Sequence, residues 1–279
     1  MLNHEVKKCY INEIECKSIL NRSKIPDLDY AINPYTGCMH GCVYCYARFM
    51  AKYTQHGLPW GRFADVKINA ADVLRKQLAK HPTGVVSLST VTDPYQAVEK
   101  KYEITRRILK ELVDSDLEVS ILTRSDLVLR DTDILILFQR GQCDVGFSMA
   151  TMDDEIRKKM EPAAPSISRR IEALRKLHEK GIKTWMFLAP VMPVFTEATL
   201  MHLLESVAAS VDYILVDSLN IKSDNWSHMK TVLRNYYPDI LPDWENCLFN
   251  GAERQAFYKR IYGNISEFCY KNNIQVRFC

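Results

Sequence analysis

The sequence has no long apolar run. No stretch of about 18 or more apolar residues occurs, so no transmembrane helix is predicted. The first residues, Met1 to Glu5, are polar and lack the apolar stretch of a signal peptide, so we expect a cytoplasmic, reducing location. In such a compartment the nine cysteines are not expected to form a disulfide framework. Internal repeats and low-complexity segments are also missing, which argues against a repeat or disordered protein.

A strong net charge is missing as well. The chain has 37 Lys and Arg against 34 Asp and Glu, a formal charge of +3. This is too small to indicate a nucleic-acid partner, and no helix-turn-helix, zinc-finger or RNA-binding signature supports one. Paired basic residues on predicted helices, such as Lys158–Lys159 and Arg169–Arg170, are expected on solvated faces. At 279 residues the chain can bury a core as one α/β barrel or as two smaller domains.

Short apolar runs alternate with helical patterns along most of the chain. Strands are predicted over 85–88, 117–122, 144–149, 183–188 and 211–216, and helices over 99–113, 127–138, 168–180 and 196–209. Ser168 is the predicted N-cap of helix 168–180, and Gly181 its left-handed C-terminal residue. The alternation predicts βαβ units and a parallel sheet, with the helices on one outer surface if the sheet curls into a barrel.

Chemistry in such folds lies at the carboxyl ends of the strands. The residues at these ends are Ser89, Thr90, Thr123, Arg124, Ser148, Met149, Ala189, Pro190, Asp217 and Ser218. After residue 220 the pattern changes to helices at 226–237 and 251–272, joined by a loop around Pro238, Pro242 and Trp244, and a final strand at 275–278. We interpret 1–28 as an N-terminal extension, 29–219 as the barrel and 220–279 as a C-terminal helical cap.

Three of the nine cysteines, Cys38, Cys42 and Cys45, lie in one short loop with the spacing C-x3-C-x2-C. Gly37 and Gly41 allow the backbone to take conformations that other residues resist. A [4Fe-4S] cluster normally takes four thiolates, so three leave one iron open for a substrate or cofactor. A zinc site that also uses His40, and simple burial of the cysteines, are the alternatives.

The cysteine loop with its flanking Tyr resembles the signature of the radical S-adenosyl-L-methionine (SAM) superfamily. Further segments resemble its spore photoproduct lyase-like branch, whose members are often labelled DNA repair photolyases. These segments are 33–38, 92–96 with Glu99, 123–125 with Arg130 and Asp131, and 161–162 through 181–182. The resemblance covers about residues 29–193 and, more loosely, the rest of the chain.

This resemblance implies a partial, open parallel βα barrel of six βα units with a C-terminal helical extension. It implies that Cys38, Cys42 and Cys45 bind three irons of a [4Fe-4S] cluster and that SAM chelates the fourth. An electron from a flavodoxin- or ferredoxin-type reductant would cleave SAM to methionine and a 5′-deoxyadenosyl radical, which takes hydrogen from an unidentified substrate.

The resemblance also implies contacts to SAM, from Tyr44, Tyr46, Ser89, Thr90, Arg124 and Ser148. The two tyrosines lie near the adenine or the cluster, and residues 89 and 90 contact the amino group. The arginine pairs with the carboxylate where relatives often carry Lys, and residue 148 contacts the ribose or carboxylate. The alternatives are ordinary structural roles, such as core packing for the aromatics and strand capping for the hydroxyls.

Two further motifs belong to the resemblance, and one segment departs from it. The loop from Asp93 to Gln96 either caps the next helix or lines the substrate cavity, and Glu161–Pro162 has no assigned role. Spore photoproduct lyase uses a cysteine near the end of the second strand as hydrogen donor, but residues 85–92 contain none. We therefore do not expect this chain to be that lyase, and Cys279 is a candidate for another donor.

Three hypotheses follow from the sequence. The first is a radical SAM enzyme with an unidentified substrate, and the second a nucleic-acid lesion repair lyase. The third is a non-catalytic module that binds zinc or an iron–sulfur cluster. No residue is assigned as catalytic at this point.

Overall fold

A computed structural model describes residues 9–222 and 224–279; the polar start of the chain, Met1 to Glu5, lies outside the described residues. The strands are β1 (Tyr10–Ile14), β2 (Leu20–Arg22), β3 (Tyr30–Ile32), β4 (Tyr35–Thr36), β5 (Phe63–Lys67), β6 (Gly84–Leu88), β7 (Leu117–Thr123), β8 (Cys143–Met149), β9 (Lys183–Val191), β10 (Tyr213–Ser218) and β11 (Gln275–Phe278).

The helices alternate with the later strands. They are α1 (Ala70–Leu78), α2 (Glu99–Tyr102), α3 (Ile104–Leu112), α4 (Thr132–Leu135), α5 (Asp154–Met160), α6 (Ile167–Glu179), α7 (Phe195–Val207), α8 (Asn225–Tyr236), α9 (Leu241–Phe249) and α10 (Gly251–Lys271). Short 3-10 helices cover Tyr46–Tyr53, Asp126–Asp131, Ala208–Ser210 and Pro238–Ile240. Within the described part of the chain, no helix is long and apolar enough to cross a membrane.

Eight strands form one sheet in the order β11-β10-β9-β8-β7-β6-β3-β2. Within this sheet, every neighbouring pair of strands runs parallel except β2 and β3, which run antiparallel. Strands β2 and β11 stand at opposite edges, so the barrel is open. The prediction of an open parallel βα barrel is confirmed: β3 and β6 to β10 supply six strands, and β11 adds a seventh.

The side chains of β7 show why this sheet has two different faces. Leu117, Val119 and Ile121 are buried on the face that the helices cover, whereas Glu118 is exposed and Ser120 half-buried on the other. The covering helix α3 buries an apolar stripe at helical spacing, made of Ile104, Ile108, Leu109 and Leu112. Each fully buried Leu or Ile stabilises the fold by about 1.5–3 kcal/mol, so this layer holds helices and sheet together.

The inner face of the barrel is polar and aromatic near the amino ends of its strands. Asp144 accepts hydrogen bonds from Ser120 Oγ (2.7 Å), Trp185 Nε1 (2.9 Å) and Tyr213 OH (2.9 Å). Trp185 and Tyr213 stack with ring centroids 5.4 Å apart. The Trp185 ring lies directly over Gly146, where a Cβ would come within 2.2 Å of it. These groups occupy the lower part of the inner face, on the side opposite the carboxyl ends of the strands.

A second, three-stranded sheet of order β1-β5-β4 stands beside the barrel. Strand β4 follows β3 directly and pairs antiparallel with β5, with Tyr35 opposite Val66. Strand β1 pairs parallel with β5. Residues 9–28, part of the predicted N-terminal extension, therefore contribute β1 to this sheet and β2 to the main one. The domain boundaries themselves stay a prediction.

Three predicted helices begin, end or divide differently in the structure. The predicted helix 99–113 is interrupted at Glu103, which has a φ of 50°. The break occurs because the Glu99 carboxylate accepts hydrogen bonds from Thr105 N (3.0 Å) and Arg106 N (3.3 Å) and so caps a second helix. The predicted helix 127–138 is a 3-10 turn followed by the short α4. The N-cap of α6 is Ser166, whose hydroxyl accepts from Arg169 N, and not Ser168. Gly181 has the expected left-handed φ of 78°.

The C-terminal region contains more helix than the sequence predicted. The expected loop around Pro238, Pro242 and Trp244 is mostly helix α9, whose first turn accommodates Pro242 because an N-terminal residue needs no intrahelical N–H bond. Trp244 is fully buried. The last predicted strand, 275–278, is confirmed as β11.

Candidate metal centre and cofactor site

The three cysteines of the C-x3-C-x2-C loop lie beyond the carboxyl end of β3, on two consecutive tight turns. Gly41 N donates to Cys38 O (3.3 Å), and Cys45 N donates to Cys42 O (3.2 Å). Cys38 and Cys42 are buried and Cys45 is half-buried. The turns bring three thiols from eight residues into one small region, as the spacing predicted.

The thiols are close enough to perturb one another's ionisation. Burial raises the pKa of Cys38 strongly, and Asp93, Cys42 and Cys45 raise it further. Burial raises the pKa of Cys42 to about 12, although nearby Arg124 opposes this change. Burial also raises the pKa of Cys45, against the backbone N–H of Ala47 and the positive charges nearby. The metal-free protein therefore holds three neutral thiols, and metal binding must displace their protons.

Two glycines let the cysteine loop lie directly against its neighbours. Gly37 has a φ of 87°, and a Cβ on it would meet the Phe63 ring at 2.4 Å. Gly41 has a φ of 62° and lies against Gly61, whose own Cβ would come within 2.8 Å of Gly41 Cα. Both conformation and space exclude a side chain at Gly37, so the loop follows the surface of β5 closely.

The loops after β3 and β6 are joined by side-chain amides. Asn33 Oδ1 accepts from Thr90 N (3.0 Å) and Val91 N (3.1 Å). Gln96 Oε1 accepts from Met39 N (2.8 Å), and its Nε2 donates to Gly37 O (3.1 Å). Gln96 is fully buried. These bonds fix the backbone of the cysteine loop without contributing a metal ligand.

Asp93 connects three loops and does not line an open cavity. Its carboxylate accepts from Tyr95 N (2.9 Å), Thr123 Oγ1 (2.7 Å) and Arg124 N (2.8 Å), and lies 3.2 Å from His40 Nε2. Burial alone would raise the pKa of Asp93, but His40 and these donors hold it at about 2. Asp93 does not cap the next helix as predicted, because the N-cap of α2 is Val98; its observed contacts join the loops instead, and the second predicted role, lining the substrate cavity, stays a prediction.

His40 is not oriented as a ligand to a metal at the three thiols. Its Nε2 faces Asp93, and its Nδ1 lies 3.4 Å from Ala163 O. Within residues 9–222 and 224–279, no three His, Cys, Asp or Glu side chains are arranged to hold a single metal ion. In an iron–sulfur cluster each thiolate binds a different iron, so that arrangement is not required. Three adjacent thiols without a fourth ligand fit the cluster better than the zinc alternative.

A buried charged network extends from the cysteine loop to α6. Glu161 accepts hydrogen bonds from Tyr44 OH and Arg170 Nη2 and lies 3.6 Å from Arg124 Nε. Burial alone would raise the pKa of Glu161, but Arg170 and Arg124 lower it to about 2. Arg170 is fully buried, so the prediction of a solvated face for this residue was wrong. It is buried because Glu161 and two backbone carbonyls satisfy its donors.

The structure places the predicted SAM-contacting residues at one end of the barrel. Their hydroxyl groups differ in burial and in hydrogen bonding. Ser89, directly after β6, is buried, and its Oγ has no hydrogen-bond partner among the described residues. Ser148 Oγ donates to Ala189 O (3.0 Å). Tyr46 is 44% exposed and donates to Thr90 O. The Ser89 hydroxyl thus makes no hydrogen bond within the described part of the chain, whereas the Ser148 hydroxyl already joins β8 to β9.

Cys279 lies at the carboxyl ends of the parallel strands, as the cysteine loop does, although the two follow strands far apart in the sheet; the sequence alone did not predict this placement. It follows β11, its backbone N donates to Val216 O (2.9 Å), and the residue is exposed although its thiol is partly buried. Burial and then the nearby Asp217 raise its pKa, so it remains a thiol near neutral pH.

Sequence reasoning missed the residues that hold the cysteine loop and Arg124 in place. They are Asn33, His40, Gln96, Glu99, Glu161 and Arg170. All six lie within the cysteine loop or the other quoted segments, so these segments were the available signal. Glu99 shows the pattern: fully buried, it accepts from Tyr35 OH and from Arg130 Nη2 (2.6 Å) and so anchors β4 to the loop after β6.

An open parallel βα barrel with a three-cysteine loop beyond its first parallel strand defines a class of cofactor-dependent enzymes. The family model described as the Radical SAM superfamily matches residues 32–207. The chain belongs to this superfamily and is a radical SAM enzyme, as the resemblance predicted. The family implies a [4Fe-4S] cluster and SAM as cofactors.

Several known proteins are similar to this chain. An uncharacterised protein of Methanocaldococcus jannaschii is 37% identical over 232 residues, which cover 83% of this chain and 85% of that protein. A radical SAM Nα-GlyT isomerase of Pseudomonas phage M6 is 29% identical over 180 residues, 63% of this chain and 36% of that protein. Spore photoproduct lyase complexed with dinucleoside spore photoproduct is similar in structure, with a TM-score of 0.70, 16% identity, and coverage of 96% of this chain and 82% of that one. At this identity the last similarity shows the fold alone.

Proposed function

We propose that this chain binds a [4Fe-4S] cluster through Cys38, Cys42 and Cys45 and cleaves SAM reductively. When bound, the cluster and SAM supply a 5′-deoxyadenosyl radical that abstracts hydrogen from a substrate. The observation that carries the proposal is the group of three mutually interacting thiols at the carboxyl edge of an open parallel barrel. A flavodoxin- or ferredoxin-type reductant and a cytoplasmic location are part of the proposal, and the nine free thiols agree with a reducing compartment.

The chain's own residues prepare the site for SAM. Ser89 has a buried hydroxyl with no hydrogen-bond partner among the described residues. Arg124 has a guanidinium that burial does not neutralise, because the groups that raise its pKa outweigh the effect of burial. Tyr46 lies at the open side of the site, where an adenine could stack on its ring. We propose that these three residues contact SAM, whereas Tyr44 and Ser148 act through their bonds to Glu161 and Ala189.

The proposal specifies hydrogen abstraction and leaves the fate of the substrate radical open, because one relative is named a lyase and another an isomerase. We predict that the chain does not repair spore photoproduct. Residues 85–92, which form β6 and the loop after it, contain no cysteine to donate hydrogen to a product radical. The near-neutral charge also offers little attraction to DNA, which carries about one negative charge per 1.7 Å.

Two assays test these statements. Anaerobically reduced, cluster-loaded protein is incubated with SAM and a panel of deuterated compounds, and deuterium in 5′-deoxyadenosine identifies the substrate class. The same protein is incubated with SAM and a spore-photoproduct dinucleotide. We expect no conversion to thymines; multiple turnovers to thymines would contradict the prediction and make Cys279 the first residue to replace.

A further inference from the structure

Glu161 is the shared partner of two arginines and one tyrosine inside the site. It directly follows α5 and is 2% exposed. One of its carboxylate oxygens accepts from Tyr44 OH and lies 3.6 Å from Arg124 Nε, and the other accepts from Arg170 Nη2. Burying a carboxylate with two guanidinium groups costs free energy unless each charge is paired. Each of these groups therefore needs a partner, either within the protein or on a ligand.

All three guanidinium nitrogens of Arg170 find partners within the protein. Its Nη1 donates to Ser148 O (2.9 Å), and its Nε (3.1 Å) and Nη2 (2.8 Å) donate to Pro165 O. Its side chain has no exposed surface. Arg170 therefore keeps Glu161 charged and oriented, and none of its surface is left for a ligand.

Arg124 is held on one side only. Its backbone N donates to Asp93, its Nη2 lies 3.4 Å from Tyr44 OH, and its Nε faces Glu161 without a hydrogen bond. In the described part of the chain Nη1 makes no hydrogen bond, and the side chain is 22% exposed. Its outer edge is therefore available to a carboxylate, which a guanidinium binds through two parallel bonds.

We propose that Glu161 is a positioning residue: together with Tyr44 it holds the Nε side of Arg124 so that the outer edge of this guanidinium faces the carboxylate of bound SAM. This inference rests on the proposed function. Arg170 supplies the compensating charge that keeps Glu161 in place. Glu161 touches no ligand and acts through Arg124.

A double-mutant cycle on cluster-loaded protein tests this dependence. The dissociation constant for SAM is measured by equilibrium binding for the native chain, Glu161→Gln, Arg124→Met and the double variant. We expect Glu161→Gln to weaken SAM binding about tenfold in the native background and less than about twofold when Arg124 is already replaced. An equal weakening in both backgrounds would show that Glu161 acts independently and would overturn the inference.

Controls separate positioning from loss of structure or of the site itself. Glu172→Gln removes an exposed partner of Arg175 on α6 and should leave SAM affinity unchanged. Iron content and circular dichroism establish that each variant is folded and loaded. If Glu161→Gln does not fold, Tyr44→Phe, which removes the hydrogen bond that Tyr44 donates to Glu161, replaces it in the same cycle with the same expected dependence on Arg124. A native protein that loads iron but binds no SAM would refute the proposed function, whereas an additive cycle in a SAM-binding protein refutes only the positioning role.

Discussion

Replacing Gly37 with Ala tests how tightly the cysteine loop lies against β5. Two costs are expected from the structure. A non-glycine residue in the left-handed region, here a φ of 87°, costs about 1–2 kcal/mol. The new Cβ would also lie 2.4 Å from Phe63 Cε2 and 2.7 Å from Phe63 O, and relieving such an overlap in a packed site costs about 1–3 kcal/mol. The total loss in the free energy of unfolding is about 2–5 kcal/mol.

Gly141→Ala is the matched control for this substitution. Gly141 has a similar φ of 85°, but no atom lies within 4 Å of the position of its Cβ. It should lose only the conformational part, about 1–2 kcal/mol. Urea denaturation of the metal-free proteins measures both losses, and iron content after reconstitution reports whether the loop still binds metal. Equal losses for the two variants would refute the close packing of Gly37 on Phe63.

Two further predictions concern buried polar groups of the site. The pKa of Asp93, held at about 2, is below its unfolded value, so its contribution to stability is complete above about pH 4 and is lost as the pH falls toward 2. Asp93→Asn should flatten the dependence of the unfolding free energy on pH in that window, and profiles parallel to the native one would contradict this. Ser89→Ala should weaken SAM binding several-fold with little effect on stability, because its hydroxyl makes no hydrogen bond with any residue that the structure describes. Ser148→Ala, by contrast, should cost about 1 kcal/mol of stability through the lost bond to Ala189. Equilibrium binding of SAM and urea denaturation measure the two effects. A stability loss in Ser89→Ala and a loss of SAM affinity in Ser148→Ala would contradict both predictions.

The parts of the fold that the sequence predicted are those determined by local patterns. The parallel strands follow from short apolar runs between helices, and the three-cysteine loop follows from its spacing. The prediction of one continuous helix over 99–113 was wrong. The first N–H groups of the second half donate to the Glu99 side chain and not to backbone carbonyls of the preceding turn. No periodicity reports such a cap.

The partners of the buried charged side chains could also not be predicted from the sequence. Arg170 occurs beside Arg169 in a helical, polar segment that is typical of a solvated face. It is buried because Glu161, nine residues earlier, accepts a hydrogen bond from its Nη2. Which of two neighbouring arginines faces inward depends on the path of the loop before the helix, and only the folded chain determines that path.

We propose above all that Cys38, Cys42 and Cys45 hold the cluster that activates SAM. The direct measurement is iron and sulfide content, together with 5′-deoxyadenosine formed from SAM under reducing, anaerobic conditions, for the native chain and for each single Cys→Ala variant. Cys143→Ala, at a buried thiol of β8, is the control. We predict about four irons and four sulfides and SAM cleavage in the native chain and the control, and loss of both in each loop variant. Full iron–sulfur content after replacement of all three loop cysteines, or zinc without iron in the native protein, would contradict the account.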